Sequence, residues 1–108
     1  MKPIKMEIVQ QQLDQFTNQP IYLHLETTQG AYTALSAGAY IRNAKIMYLL
    51  GKITGQGPYR VGLKLEHGWV YAEGLTDFTI DEQGRLLLAG HTREGKLNVA
   101  LQLSQQPF

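Results

Sequence analysis

Apolar side chains near the N-terminus recur at the spacing of a helix. Four of them, three, four and three residues apart, are Met6, Val9, Leu13 and Phe16. A period of about 3.6 residues brings all four onto one face, and the next proline ends the pattern because it lacks the amide hydrogen that a further helical turn needs. The spacing predicts an amphipathic helix over about residues 5–18. A helix this short is marginal in isolation, so we expect it to dock against a larger part of the fold.

From Pro20 onward the pattern changes to the two-residue alternation of β-strands. In the segment IYLHLETT, the apolar residues Ile21, Leu23 and Leu25 alternate with polar or amphipathic ones. Successive side chains of a strand leave opposite faces. The segment is therefore predicted to be a strand with one apolar and one polar face.

The next part of the chain predicts a hairpin and a long, bent strand. Gln29–Gly30 is typical of a tight turn, and AYTALS is predicted to return as a strand. Residues 39–54 are rich in β-forming residues, with a predicted bend or bulge near Arg42 and Asn43.

Turn residues divide the rest of the chain into short segments. Gly55, Gly57 and Pro58 mark one turn, and the DEQG segment has the aspartate and glycine that suit a type I turn. The predicted strands that follow are YRVGLKLE, WVYAEG, FTI, RLLLAG and KLNVALQLS. A run of hairpins without a second helix cannot build parallel crossovers. We therefore predict a single all-β domain over residues 1–108. It would be a small antiparallel β-barrel or a strongly curled meander sheet over about residues 20–105, with one N-terminal α-helix.

Composition excludes several classes of protein. Ten basic and nine acidic residues are scattered along the chain and give a net charge of +1, so nucleic acid is disfavoured as a partner. There is no cysteine, which excludes disulfides, thiolate zinc sites and cysteine nucleophiles.

The N-terminus lacks the apolar core of a signal peptide, and no apolar run is long enough to cross a bilayer. A cytoplasmic protein without a membrane partner is expected.

Several short segments resemble the YojF family of small bacterial proteins. They are IYLHLETT, AYIRNAK, GPYRVGLK, GWVYAEGLT, LLLAGH and GKL. The resemblance implies a compact β-barrel-like fold. It implies no activity, and no functional residue can be carried over. Members of the family are often encoded beside a deacetylase of the bacillithiol pathway. The resemblance thus suggests a deacetylase-type partner and a link to low-molecular-weight thiol metabolism.

The polar face of the first strand carries one candidate site. His24 and Glu26 are two residues apart, so their side chains share a face about 7 Å apart at their bases. They could bind a polar ligand, or act as a base oriented by a carboxylate. Adding His91 would give three potential zinc ligands, but no metal-binding motif joins them. We therefore favour an ordinary polar strand face and predict no metal or cofactor.

Basic and aromatic residues supply the other candidates. Arg42 and Arg60 are suited to anions, and Arg60 shares a strand face with Lys64, separated by Gly62; a solvated strand face is the alternative. Trp69 and Tyr71 share one face of their strand, where they either fill the core of a hairpin or line a ligand site. The sequence favours the core.

Three functions remain open. The first is a non-enzymatic binding or accessory module for a small polar molecule or a protein partner. Its predicted contacts are His24, Glu26, Arg42, Arg60, Trp69, Tyr71 and His91, and no catalytic residue is assigned. The second is a small hydrolase or isomerase with His24 as base and Glu26 as its orienting group. The third is a structural homodimer joined through an exposed strand edge.

Overall fold

The computed structural model describes residues 1–28 and 38–108. Over these ranges it contains one helix and nine strands. In chain order they are β1 Lys2–Pro3, α1 Met6–Gln15, β2 Ile21–Thr28, β3 Gly38–Ile46, β4 Tyr48–Gly55, β5 Tyr59–Leu65, β6 Trp69–Leu75, β7 Asp77–Ile80, β8 Leu86–His91 and β9 Leu97–Ser104. The predicted turn at Gln29–Gly30 and the predicted return strand over residues 31–36 lie outside the described residues.

The strands form two antiparallel sheets. The larger has the order β1-β7-β8-β9-β2-β3, and the smaller has the order β4-β5-β6. The prediction of a mainly β fold with one N-terminal helix is confirmed. Within residues 1–28 and 38–108 the strands do not close into a barrel. The curled-sheet form of the prediction is therefore the correct one.

The long strand predicted over residues 39–54 is in fact two strands in different sheets. Strand β3 ends at Ile46 and β4 begins at Tyr48, with only Met47 between them. Strand β3 pairs with β2, whereas β4 pairs with β5. This change of sheet at a single residue carries the chain from the larger sheet to the smaller one.

The bend predicted near Arg42 and Asn43 is present. Asn43 has a φ of +57°, a left-handed conformation that asparagine tolerates better than most residues. The register between β2 and β3 shifts between Leu23 and Leu25. The extra residue on β3 is a β-bulge, and it lies opposite the segment that carries His24.

The predicted helix is confirmed but ends before the limit at residue 18. The amides of Phe16 and Thr17 bond to carbonyls only three residues earlier, which tightens the last turn. Asn18 then takes a left-handed φ of +59°. Its amide donates to the carbonyl of Tyr48 at 2.9 Å, which ties the end of the helix to strand β4 before the chain enters β2.

The helix also covers one edge of the smaller sheet. Val9 and Leu13 are fully buried against the core. On the neighbouring helix face, the Gln10 amide nitrogen donates to the Gly51 carbonyl at 2.8 Å, and its oxygen accepts from the Ile53 amide at 3.1 Å. Gln10 thus satisfies backbone groups of β4 that would otherwise lack a partner. Helix and larger sheet bury the inner face of the smaller sheet and leave its outer face in solvent.

Candidate functional site

The outer face of the smaller sheet carries an ordered set of charged and aromatic side chains. Alternation along β4, β5 and β6 points nine positions away from the core, in three rows set by the strand register. We call this set the cation–aromatic face. Its members are Leu50, Lys52, Thr54, Arg60, Gly62, Lys64, Trp69, Tyr71 and Glu73.

Three side chains of this face form a continuous stack. The rings of Trp69 and Tyr71 are nearly parallel, with an interplanar angle of 7° and centroids 5.3 Å apart. The guanidinium carbon of Arg60 lies 4.1 Å from the centroid of the Tyr71 ring. Register places Arg60 and Trp69 on opposite sides of Tyr71, so the tyrosine ring is held between a cation and an indole.

Gly62 makes room for this stack. It lies directly across from Tyr71. A Cβ atom added to Gly62 would lie 2.8 Å from Cε1 and 3.1 Å from Cδ1 of Tyr71, well inside van der Waals contact. Any other residue would displace the ring. A glycine in a strand weakens the strand, and here it allows the tyrosine ring to lean across the sheet.

Positive charge dominates the cation–aromatic face. The surface carries three cations, Lys52, Arg60 and Lys64, and one carboxylate, Glu73. The Nε atom of Arg60 lies 3.4 Å from Glu73 Oε1, with 48% and 70% of the two side chains exposed. An ion pair this exposed contributes little to stability. An incoming anion can therefore compete with Glu73 for Arg60.

The face is concave as well as charged. A shallow depression of about 200 Å³ is lined by Leu50, Lys52, Thr54, Arg60, Gly62, Trp69 and Tyr71. It combines an aromatic wall, an aliphatic wall and cationic groups, which is the usual mixture in sites for polar organic molecules.

The prediction that Trp69 and Tyr71 fill the core is wrong. Their exposed fractions are 47% and 44%, whereas Ala72 on the opposite face of β6 is buried. In a closed barrel the bulkier side chains would point inward. Here strands β8 and β9 of the larger sheet pack beneath β6, where Val70 and Ala72 face the core and leave Trp69 and Tyr71 on the outer face.

His24 and Glu26 are in contact, but His24 is enclosed. Nε2 of His24 lies 3.4 Å from Oε1 of Glu26, and the exposed fraction of the His24 side chain is 8%. The rings of Tyr40 and Phe108 lie 6.4 and 6.5 Å from the imidazole. Asn43 fastens Phe108 in place, since its side chain donates to the Phe108 carbonyl at 3.1 Å and accepts from the Phe108 amide at 2.7 Å.

His24 Nδ1 is buried, and no hydrogen-bond partner for it lies among the described residues. A general base must reach its substrate. This imidazole is shielded by the Phe108 segment, so the arrangement gives little support to a catalytic role for the His24–Glu26 pair.

His91 lies elsewhere and has a different partner. His24 and Leu87 are both paired with Gln102 of β9, so His91 lies about 13 Å further along the sheet and two strands away. The structure therefore does not form the three-residue zinc set. Over residues 1–28 and 38–108, no cluster of three or more potential ligands is suited to a metal ion.

The partner of His91 is Asp77, which the sequence reasoning missed. His91 Nδ1 lies 2.8 Å from Asp77 Oδ2, and Thr76 Oγ1 donates to the same oxygen at 2.7 Å. Thr76 Oγ1 also accepts the amide of His91 at 3.1 Å. The hydrogen bond from Thr76 and then that from His91 lower the pKa of Asp77. This network fixes the imidazole at the sheet end where β7 begins and β8 ends.

The remaining predicted residues divide between the two sheets. Arg60 lies on the cation–aromatic face, whereas Arg42 is at the bulge of β3 in the other sheet. Lys52 and Leu50 join the face although the sequence analysis did not select them. The only sequence signal for these two residues was their spacing, because residues two apart in a strand lie on the same face. The pairing of β4 with β5 is not visible in the sequence.

Over the described residues no helix has both the length and the apolar character needed to cross a membrane.

Comparisons with known proteins place the chain in a family. A family model described as a protein of unknown function, DUF1806, matches residues 3–108. The uncharacterized protein YojF of Bacillus subtilis (strain 168) is 54% identical over 114 aligned residues, which cover 100% of this chain and 98% of that protein. The crystal structure of Bacillus subtilis YojF is similar to this fold with a TM-score of 0.88 at 54% identity, covering 99% of this chain and 95% of that chain. The chain therefore belongs to the DUF1806 family, and the resemblance to YojF in its strand segments is confirmed.

Proposed function

We propose that this protein is a non-enzymatic binding module and that the cation–aromatic face is its contact surface for a small anionic molecule. The observation that carries the proposal is the Arg60–Tyr71–Trp69 stack above Gly62. It combines exposed ring surface with an excess of cations at the edge of a depression. These features recognise an organic anion through stacking and charge.

The stack is poorly explained as a contribution to folding alone. Trp69 and Tyr71 keep nearly half of their surface in water, so they contribute less burial than core aromatics would. Gly62 gives up the β-propensity that another residue would supply. A ring that covers a cross-strand glycine also stabilises a sheet, so the features that favour binding are the exposed ring surface and the cations beside it.

Native mass spectrometry of gently purified protein tests this proposal. We expect the wild-type protein to carry a small additional mass that is lost on denaturation and is absent from Tyr71→Ala. The matched control is Tyr40→Ala, because Tyr40 is also an exposed tyrosine but lies in the other sheet. Bare chains for both the wild type and Tyr40→Ala, or an additional mass that Tyr71→Ala retains, would contradict the proposal.

The link to bacillithiol metabolism and the deacetylase-type partner stay predictions, supported by the family resemblance. The same spectra measure the mass of the assembly, so they also test the homodimer alternative. Mixing the protein with the deacetylase and measuring the mass of the complex tests the protein partner. A complex that forms equally well with Tyr71→Ala would assign that partner to another surface.

A further inference from the structure

We infer that the group recognised on the cation–aromatic face is a single planar aromatic ring carrying an anionic substituent, the chemistry of a mononucleotide. This inference rests on the proposed function and specifies the ligand of that same site. It follows from the number of ring faces that the stack leaves free and from the position of the nearest cation.

The stack leaves one aromatic face free. Both faces of the Tyr71 ring are in use, one against Trp69 and the other against the guanidinium of Arg60. The face of Trp69 that is turned away from Tyr71 has no ring stacked on it within the described residues. Since 47% of Trp69 is exposed, a planar ring can continue the stack there.

Tyr71 and Arg60 also prepare Trp69 for this contact. Parallel stacking fixes the orientation of the indole before a ligand arrives, which lowers the entropic cost of binding. A ligand ring on Trp69 would therefore complete a four-layer stack of guanidinium, phenol, indole and ligand.

The nearest cation fixes where the negative charge of the ligand lies. Lys64 is the cross-strand neighbour of Trp69, with Leu50 on its other side. Directly opposed side chains have Cβ atoms about 4.5–5.5 Å apart, so the exposed Lys64 ammonium can reach an anion attached to a ring on Trp69. Lys52 lies in the row of Tyr71, and Arg60 lies on the other side of Tyr71, so these two cations add to the positive potential of the face while Lys64 is the one beside the ligand.

The turn between β5 and β6, residues 66–68, repels an anion on Trp69 only weakly. Its acidic residue, Glu66, lies 4.0 Å from Nε2 of His67, with exposed fractions of 88% and 93%. Screening by water and salt weakens this carboxylate and the exposed cations of the face alike. The three cations outnumber Glu66 and Glu73, so the net charge around the stack favours an anion.

A polynucleotide does not fit the same evidence. Proteins that bind single strands stack successive bases on several aromatic platforms along a basic groove. Within the described Arg60–Tyr71–Trp69 stack, only the outer face of Trp69 is free, and the chain has a net charge of +1. The geometry favours one base with its phosphate over a run of bases.

The test is a fluorescence titration, because Trp69 is the only tryptophan of the chain. The probes are adenosine 5′-monophosphate, adenosine and inorganic phosphate, added to the full chain at low salt. We expect saturable quenching by the monophosphate, about tenfold weaker binding of adenosine, and no spectral change with phosphate alone. A short oligothymidylate should bind no more tightly than the monophosphate.

Three variants test the parts that Lys64 and Trp69 play in binding. Lys64→Met keeps the length of the side chain and should weaken binding of the monophosphate about fivefold. The matched control, Lys45→Met, changes an exposed lysine of the other sheet and should bind as the wild type does. Trp69→Leu, followed by calorimetry, should weaken binding about tenfold.

Two outcomes would overturn the inference. One is the absence of saturable quenching by the monophosphate, and the other is an oligothymidylate that binds far more tightly than it. If native mass spectrometry still showed a small mass dependent on Tyr71, the binding module would stand and only the ligand class would be wrong. If neither experiment showed binding, both proposals would fail.

Discussion

Replacing Gly62 by alanine should break the stack while leaving the fold intact. The new Cβ would lie 2.8 Å from Cε1 of Tyr71, which is about 0.7 Å inside the ~3.5 Å lower bound of a comfortable carbon–carbon contact. The strand backbone is held by pairing on both sides, so the half-exposed tyrosine ring must move. It can tilt outward into solvent, away from Trp69 and Arg60.

The magnitude follows from the contacts that are lost and gained. The aromatic pair is worth about 0.5–1.5 kcal/mol and an exposed cation–π contact about 0.5–1 kcal/mol. Alanine recovers about 0.5–1 kcal/mol over glycine in a strand. We therefore expect Gly62→Ala to lower the free energy of unfolding by only about 1 kcal/mol, well below the ~2–5 kcal/mol of a large-to-small core substitution.

The assay combines urea unfolding with the emission of Trp69. We expect the emission of Gly62→Ala to move to longer wavelength as the indole loses its ring neighbour. In the Tyr71→Ala background the same substitution should be stabilising, because the ring it would displace is absent. The double-mutant cycle should then give a coupling energy of about 2 kcal/mol.

Equal effects of Gly62→Ala in both backgrounds would refute this reasoning. So would unchanged Trp69 emission, since either result would mean that the tyrosine ring does not lie across the glycine. Tyr71→Phe is the control for the hydroxyl group. It keeps the ring and should leave the emission near that of the wild type.

Three further predictions concern the rest of the fold. The hydroxyl of the fully buried Tyr48 donates to the carbonyl of Leu13; burial, followed by the charge of the nearby aspartate, raises its pKa well above the usual range. Tyr48→Phe should therefore cost about 1–2 kcal/mol in urea unfolding, and the absorbance difference between the wild type and Tyr48→Phe should show a phenolate only with the alkaline unfolding transition. Asp77 has its pKa lowered by the neighbouring threonine hydroxyl and then by the histidine ring, so its contribution to stability is present above the unfolded pKa of about 3.9 and is lost as the pH falls through the lower folded value. Asp77→Asn should flatten this acidic limb of a stability–pH curve, and an unchanged limb would contradict the assignment. Asn43→Gly keeps a residue that tolerates positive φ but removes both bonds to Phe108. It should speed hydrogen exchange of the Phe108 amide and raise the reactivity of the enclosed histidine towards diethylpyrocarbonate, whereas unchanged rates would show that Asn43 does not fasten this segment.

The elements that depend on local pattern could be predicted from the sequence. The spacing from Met6 to Phe16 predicted the helix, and two-residue alternation predicted the hairpin of β5 and β6. The bulge near Asn43 was also predicted. These features depend on backbone and side-chain periods that short segments carry by themselves.

The candidate site could not be predicted from the sequence, because it depends on which face of the smaller sheet the rest of the fold covers. Along β6 the sequence offers two faces, one bulky with Trp69 and Tyr71 and one small with Ala72. Bulk favoured the aromatic face as the core, but the larger sheet packs against the face that carries Ala72. The role of Lys52 likewise depends on the pairing of β4 with β5, which is a tertiary choice.

The most direct test of the central claim is to map where small molecules bind, by nuclear magnetic resonance of labelled protein. A low-molecular-weight extract of the producing cells would be titrated into the wild type and into Tyr71→Ala. We expect shift changes at Gly62, at the amides of Lys52 and Lys64, and at the indole N–H of Trp69, all absent in the variant. Shift changes confined to the surroundings of His91 or to the larger sheet, with none on the cation–aromatic face, would contradict it.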